Sequence, residues 1–128
     1  MPHWAAQYLG LPWIAGERDC WAFFREVQRE QFGRDIPAVD VDVYSAVSVM
    51  RTLQNAPERT LWTHVMVPRQ GDGVLMAQNN RPSHVGVWLE VDGGAVLHCA
   101  EGFGVLCQSV PSLRAAGWSG ISYWRRQC

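Results

Sequence analysis

Four cysteines (Cys20, Cys99, Cys107, Cys128) and four histidines (His3, His64, His84, His98) carry most of this chain's capacity for nucleophilic and acid–base chemistry. All eleven basic side chains are Arg and none is Lys, which excludes a lysine base or a Schiff-base nucleophile. Cys20 stands out by its position. It opens a run in which Cys20, Phe23, Phe24, Val27 and Phe32 recur at helical spacing, with Arg25, Glu26, Arg29 and Glu30 on the other face. A thiol in the first turn of a helix meets unpaired amides and the positive end of the helix dipole, both of which favour thiolate. A buried structural cysteine is the competing account of the same position.

A nucleophilic thiol needs a base, and the segment 84–100 offers one. His84 opens the alternating run His-Val-Gly-Val-Trp-Leu-Glu-Val, and His98 lies near the end of the strand expected to return from it. A two-residue turn would put the histidines on opposite faces. A three-residue loop, Val91-Asp92-Gly93 with Gly93 left-handed, pairs Glu90 with Gly94, Trp88 with Val96 and Gly86 with His98. His84 and His98 are then diagonal neighbours on one face, ~7–8 Å apart at the backbone. Gly86, opposite His98, is expected to leave open space there. The trio suits acyl transfer: a thiolate attacks a carbonyl, an imidazole carries the proton, and a third polar group orients the imidazole. The expected resting form is a Cys20 thiolate facing a His84 imidazolium, with His98 accepting from the second ring nitrogen.

The elements that must position these groups read as helices first and strands second. A short helix is expected over 2–9, then a helix over 20–32 with Asp19 as N-cap and Gly33 as the C-terminal stop. A connector follows from Asp35 to Asp42, and a second amphipathic helix covers 43–54. Trp62–Val67, Gly73–Ala77, His84–Val91, Ala95–Ala100, Val105–Val110 and Ile121–Arg125 read as strands, separated by Gly-, Asn- and Pro-rich breaks. Helices followed by an antiparallel meander predict an α+β domain. At 128 residues and 48% hydrophobic, one domain spans residues 1–128.

The stretch Trp13-Ile-Ala-Gly-Glu-Arg-Asp-Cys20 resembles the nucleophile motif of the NlpC-type cell-wall cysteine peptidases, bacterial relatives of papain. Gly71-Asp72-Gly73-Val74-Leu75-Met76 resembles their first barrel strand. Ser83-His84-Val85-Gly86-Val87-Trp88-Leu89 resembles the catalytic-histidine strand, and Val96-Leu97-His98-Cys99-Ala100 the strand bearing the orienting residue. The order Cys, GD turn, HVG, His also separates this pattern from related lipid acyltransferases, in which the His precedes the Cys. The resemblance implies a papain-like fold, N-terminal helices packed on a small antiparallel barrel-like sheet. It implies Cys20 as nucleophile, His84 as base and His98 as third catalytic residue, with Trp13, Asp19, Trp21 and Gly86 lining the substrate site. The implied substrate is a peptidoglycan stem peptide, cleaved at an amide bond. Two departures bear on the pocket: Trp21-Ala22 stands where the family has Ser-Gly, and Trp13 stands where it has Tyr. Tyr8 could replace that tyrosine only by folding back. The segment 34–70 is expected to cover one side of the groove.

The remaining features narrow the reading. A net charge of −1 excludes a basic nucleic-acid surface. No apolar run approaches the ~18–20 residues of a membrane span. Met1-Pro2-His3-Trp4 predicts no cleavable secretion signal, hence synthesis in the cytoplasm and delivery to the wall by other means, a phage tail being one analogy. No cofactor is expected, and Cys99, Cys107 and Cys128 lack zinc-ligand spacing. Arg18 and Arg81 are candidates for gripping a substrate carboxylate. His64 reads as structural and His3 as part of a loose terminus. Two alternatives stay open: a non-catalytic adaptor that keeps the fold, and an amidase or acyltransferase acting on another small amide.

Overall fold

A computed structural model describes residues 3–36, 61–78 and 81–127. The helix expected over 43–54, most of the connector before it and Cys128 lie outside the described residues. A 3-10 turn, Trp4–Gln7, precedes helix α1, Cys20–Phe32. Six strands follow among the described residues: β1 Trp62–Val65, β2 Gly73–Gln78, β3 Arg81–Leu89, β4 Ala95–Ala100, β5 Gly104–Gln108 and β6 Ser119–Arg126. A short helix, α2 Val110–Ala115, sits between β5 and β6. All pairings are antiparallel, in the order β1-β6-β2-β3-β4-β5. The fold is α+β, as the sequence predicts. Only β2 to β5 form the expected meander, because β6 returns to insert between β1 and β2.

Helix α1 has the bounds that its periodicity predicts. Asp19 accepts from the Ala22 amide (2.8 Å), and Gly33 takes the left-handed conformation (φ 66°) with its N–H on the Arg29 carbonyl. Its buried residues Cys20, Phe23, Phe24 and Val27 pack against Val85, Val87, Leu89, Leu97 and Cys99 of the sheet. The residues between these on β3 and β4 face the other way, as pleating requires. There Trp88 and Val96 join Val74, Met76 and Leu113, under Trp118, Ile121 and Tyr123. The sheet therefore has α1 on one face and α2 with the approach to β6 on the other.

The far end of α1 is tied to the start of β2. Gln28 Nε2 and Arg34 Nη1 both donate to the Gly71 carbonyl, at 3.1 and 3.0 Å. Gly71 has φ +88°, and a Cβ there would lie 2.8 Å from the Phe32 ring. The buried Asp72 carboxylate accepts from Arg125 (2.8 and 3.1 Å) and from the Arg69 amide (2.8 Å), joining the Gly-Asp turn to β6. This ion pair is what the GD pair contributes to the fold, and it anchors the inserted strand.

Tyr8 is buried, and its hydroxyl donates to Glu30 (2.5 Å) while accepting from Gln31 (3.1 Å). These partners lie at the end of α1 remote from Cys20, ~15 Å along the axis at 1.5 Å per residue. Tyr8 thus does not fold back to replace the tyrosine missing at position 13. His3 is not loose: its Nδ1 accepts from the Ala5 amide and caps the first turn. His64 is exposed on β1, with its ring 4.9 Å from that of Trp124 on β6.

Candidate active site

The β3–β4 register is the one that places two histidines together. Trp88 pairs with Val96, Val87 with Leu97 and Leu89 with Ala95. The turn carries Asp92 and Gly93 at φ 49° and 83°, closed by Gly94 N–H to the Val91 carbonyl at 2.8 Å. Continuing this register sets Gly86 opposite His98 and makes His84 its diagonal neighbour. The side chains meet: His84 Nε2 and His98 Nδ1 are 2.8 Å apart, with the rings edge to face. Both are buried, at 5% and 1% exposure.

Gly86 does not leave the open space expected of it. A Cβ there would lie 2.5 Å from Val96 Cγ1, 3.0 Å from the Leu97 carbonyl and 3.1 Å from His98 Cβ. Glycine is needed because β4 already occupies that volume, which makes Gly86 a packing requirement of the histidine pair and not a vacant pocket. Gly86→Ala is expected to destabilise the fold by about 1–3 kcal/mol, since Val96 is β-branched and the carbonyl is backbone. A urea titration with an unchanged midpoint would contradict this.

Cys20 begins α1 and is 8% exposed. The amides of Val85, next to His84, and of Trp21 point at its sulfur and favour the thiolate. Burial and the adjacent Asp19 carboxylate outweigh them and push the thiol up to about 12. Burial also holds His84 well below the usual imidazole range, reinforced by His98, and lowers His98. Burial thus works against charge on both the thiol and the imidazole, opposite in direction to the expected ion pair. The physical reason is that each charge would be desolvated, and no direct Cys20–His84 hydrogen bond compensates it among the described residues. The structure joins His84 to His98 directly, and brings Cys20 only to the neighbouring backbone.

These shifts set a pH window for stability. Above the ordinary imidazole value of 6.5, His84 and His98 are neutral in both the folded and the unfolded chain. Below it the unfolded chain binds protons that the fold refuses. Stability then falls by up to about 1.4 kcal/mol per pH unit for each histidine. Above the ordinary thiol value of 9.0, the unfolded chain loses protons that folded Cys20 and Cys99, at about 12 and about 11, retain. Stability falls on that side too. Urea midpoints measured across pH are expected to plateau between these values; a midpoint that rises on acidification from pH 6.5 to 5 would contradict the assignment.

The other expected site residues take specific places. Asp19 is 4% exposed, with Oδ1 on the Ala22 amide and Oδ2 on the Gly16 amide (3.1 Å). Both its oxygens hold backbone, so it shapes the loop and first turn ahead of Cys20. Trp21 is half-buried and stacks on Phe24 (5.6 Å between centroids), which in turn meets Trp62. Trp13 is half-buried against the core under α1. Arg18 Nη1 donates to the Pro12 carbonyl (3.2 Å), and the Arg18 carbonyl accepts from the Cys99 thiol.

Two residues near the histidines were not foreseen. Trp118 stacks on His84, 4.6 Å between centroids and 16° between planes. Nothing local in the sequence announces this, since it depends on β6 inserting beside β2. Gln108 Oε1 lies 2.8 Å from His98 Nε2. A signal for it existed: it is the one polar residue of the strand Gly104–Gln108, and a tight Glu101–Gly104 turn brings it across from Val96.

A thiol opening a helix that packs on an antiparallel sheet, with two coupled histidines on adjacent strands, defines an α+β papain-like fold of the thiol-hydrolase type. The NlpC/P60 family matches residues 8–120, and the chain belongs to that family, which is generally one of cysteine peptidases and hydrolases. No curated protein matches the chain.

Proposed function

We propose that this protein hydrolyses amide bonds in peptidoglycan stem peptides, with Cys20 as nucleophile, His84 as base and His98 as the residue that orients it. The observation that carries this reading is the 2.8 Å contact between His84 Nε2 and His98 Nδ1, one residue from the Val85 amide that faces Cys20. It leaves His84 Nδ1 as the ring atom available to a thiol. Because burial works against charge on both groups, the reaction begins with Cys20 giving its proton to His84 as sulfur attacks the carbonyl. The His84 imidazolium then protonates the leaving amine, and water, activated by the same ring, releases the acyl group from sulfur. Apo contacts of this kind commonly tighten only once substrate is bound, so the missing Cys20–His84 hydrogen bond is expected to form in the complex.

Digestion of purified peptidoglycan, with mass spectrometry of the soluble fragments, tests the substrate class. Truncated stem peptides with a newly freed amino group are expected. Intact stems, or cleavage only between sugars, would overturn the reading.

A further inference from the structure

The hydrogen-bond chain through the histidines does not end at His98. We infer that Gln108 sets the proton positions of both rings, and through them presents His84 Nδ1 unprotonated to the thiol; this rests on the catalytic reading above. The three side chains stand on three adjacent strands, each a diagonal neighbour of the next. Gln108 of β5 pairs with Val96 of β4, His98 of β4 pairs with Leu106 of β5, and His84 follows one strand further on, on β3. The contacts are 2.8 Å from Gln108 Oε1 to His98 Nε2, and 2.8 Å from His98 Nδ1 to His84 Nε2.

The argument follows from what each atom can do. A carboxamide oxygen only accepts, so His98 Nε2 carries a proton. Neutral His98 then has a bare Nδ1, which can only accept, so His84 Nε2 carries the next proton. Neutral His84 is left with a bare Nδ1. One amide oxygen thereby fixes two tautomers and holds the base in its working form. The choice of amide over carboxylate also matters. A carboxylate at this point would favour cationic His98, whose Nδ1–H would donate to His84 Nε2 and drive the His84 proton onto Nδ1, occupying the base. Gln108 is a positioning residue: it acts on His84 through His98.

The test is ring-nitrogen NMR of the full chain with ¹⁵N-labelled histidine, together with kinetics on stem peptide. In the wild type both rings are expected to carry their proton on Nε2. Gln108→Leu should lose the single tautomer at His98 and lower kcat about 10-fold, with KM little changed, a fraction of the 10²–10⁴ that a placed base supplies. Gln108→Glu should raise the His98 titration, move the His84 proton to Nδ1 below it, and lower kcat near neutrality about 100-fold, recovering as pH rises. That reversal would not arise from a merely structural role. A wild-type His98 protonated on Nδ1, with the amide NH₂ donating, would overturn the inference, as would unchanged tautomers in Gln108→Leu. The spectra do not depend on turnover. An inert wild-type protein with the expected tautomers would therefore count against the catalytic reading alone.

Discussion

Replacing Cys20 by Ala is expected to lower stem-peptide hydrolysis by ~10⁴-fold or more, the scale seen when a covalent nucleophile is removed and only binding and electrostatics remain. Among the described residues, neither other thiol is placed to take over its role. Cys99 lies on the α1 face of β4 with its Sγ–H on the Arg18 carbonyl, and Cys107 is half-buried on β5. The fold should survive the change. Only one sulfur atom is removed, from a site at the edge of the core that is 8% exposed, and a loss on the order of 1 kcal/mol is expected. Circular dichroism and urea unfolding check that point, while release of amino groups from purified wall reports activity. Cys107→Ala should keep the rate within about twofold, and undiminished hydrolysis by Cys20→Ala would reject the proposed nucleophile.

His84→Ala is expected to lower kcat by about 10²–10⁴-fold, the range for a positioned general base. The pH dependence discriminates better than the magnitude. In the wild type the imidazole takes the proton from a thiol that burial holds up at about 12, so thiolate need not form beforehand. Without the ring, the residual reaction waits for thiolate to appear unaided. Its rate should climb about tenfold per pH unit through the alkaline range. A residual rate that is flat with pH would show that His84 is not the base. The variant also strands His98 Nδ1 in a buried site beside the space left next to Trp118, and a loss of about 1–3 kcal/mol accompanies it.

Much of this site was legible because short-range patterns govern it. The 3.6-residue period and the Asp19 and Gly33 caps define α1. The alternation of His84 to Leu89 and the Asp92-Gly93 turn define the register that joins the histidines. What escaped the sequence depends on contacts that no local pattern encodes. The insertion of β6 beside β2 is held by Arg125 on Asp72, and it carries Trp118 onto His84. The strand expected over Val105–Val110 ends at Gln108, and helix α2, which the sequence reading leaves unassigned, starts at Val110: Ser109 caps it by accepting from the Ser112 amide and Pro111 sits in its first turn. The burial that works against charge on Cys20 escapes the sequence for a related reason. The helix terminus favours thiolate, but the burial that opposes it emerges only when α1 meets the sheet. Gly86 shows the same limit: register locates it, and only packing reveals that β4 fills its space.

The most direct test of the central claim uses a stem peptide bearing a chloromethyl ketone in place of the scissile amide, followed by peptide mapping. The alkylating carbon is delivered by substrate binding, so it reports the thiol that faces the bound carbonyl. One equivalent on Cys20, with parallel loss of hydrolysis and protection by excess stem peptide, is the expected result. Inactivation that maps to Cys99 or Cys107 while Cys20 stays unmodified would contradict the account.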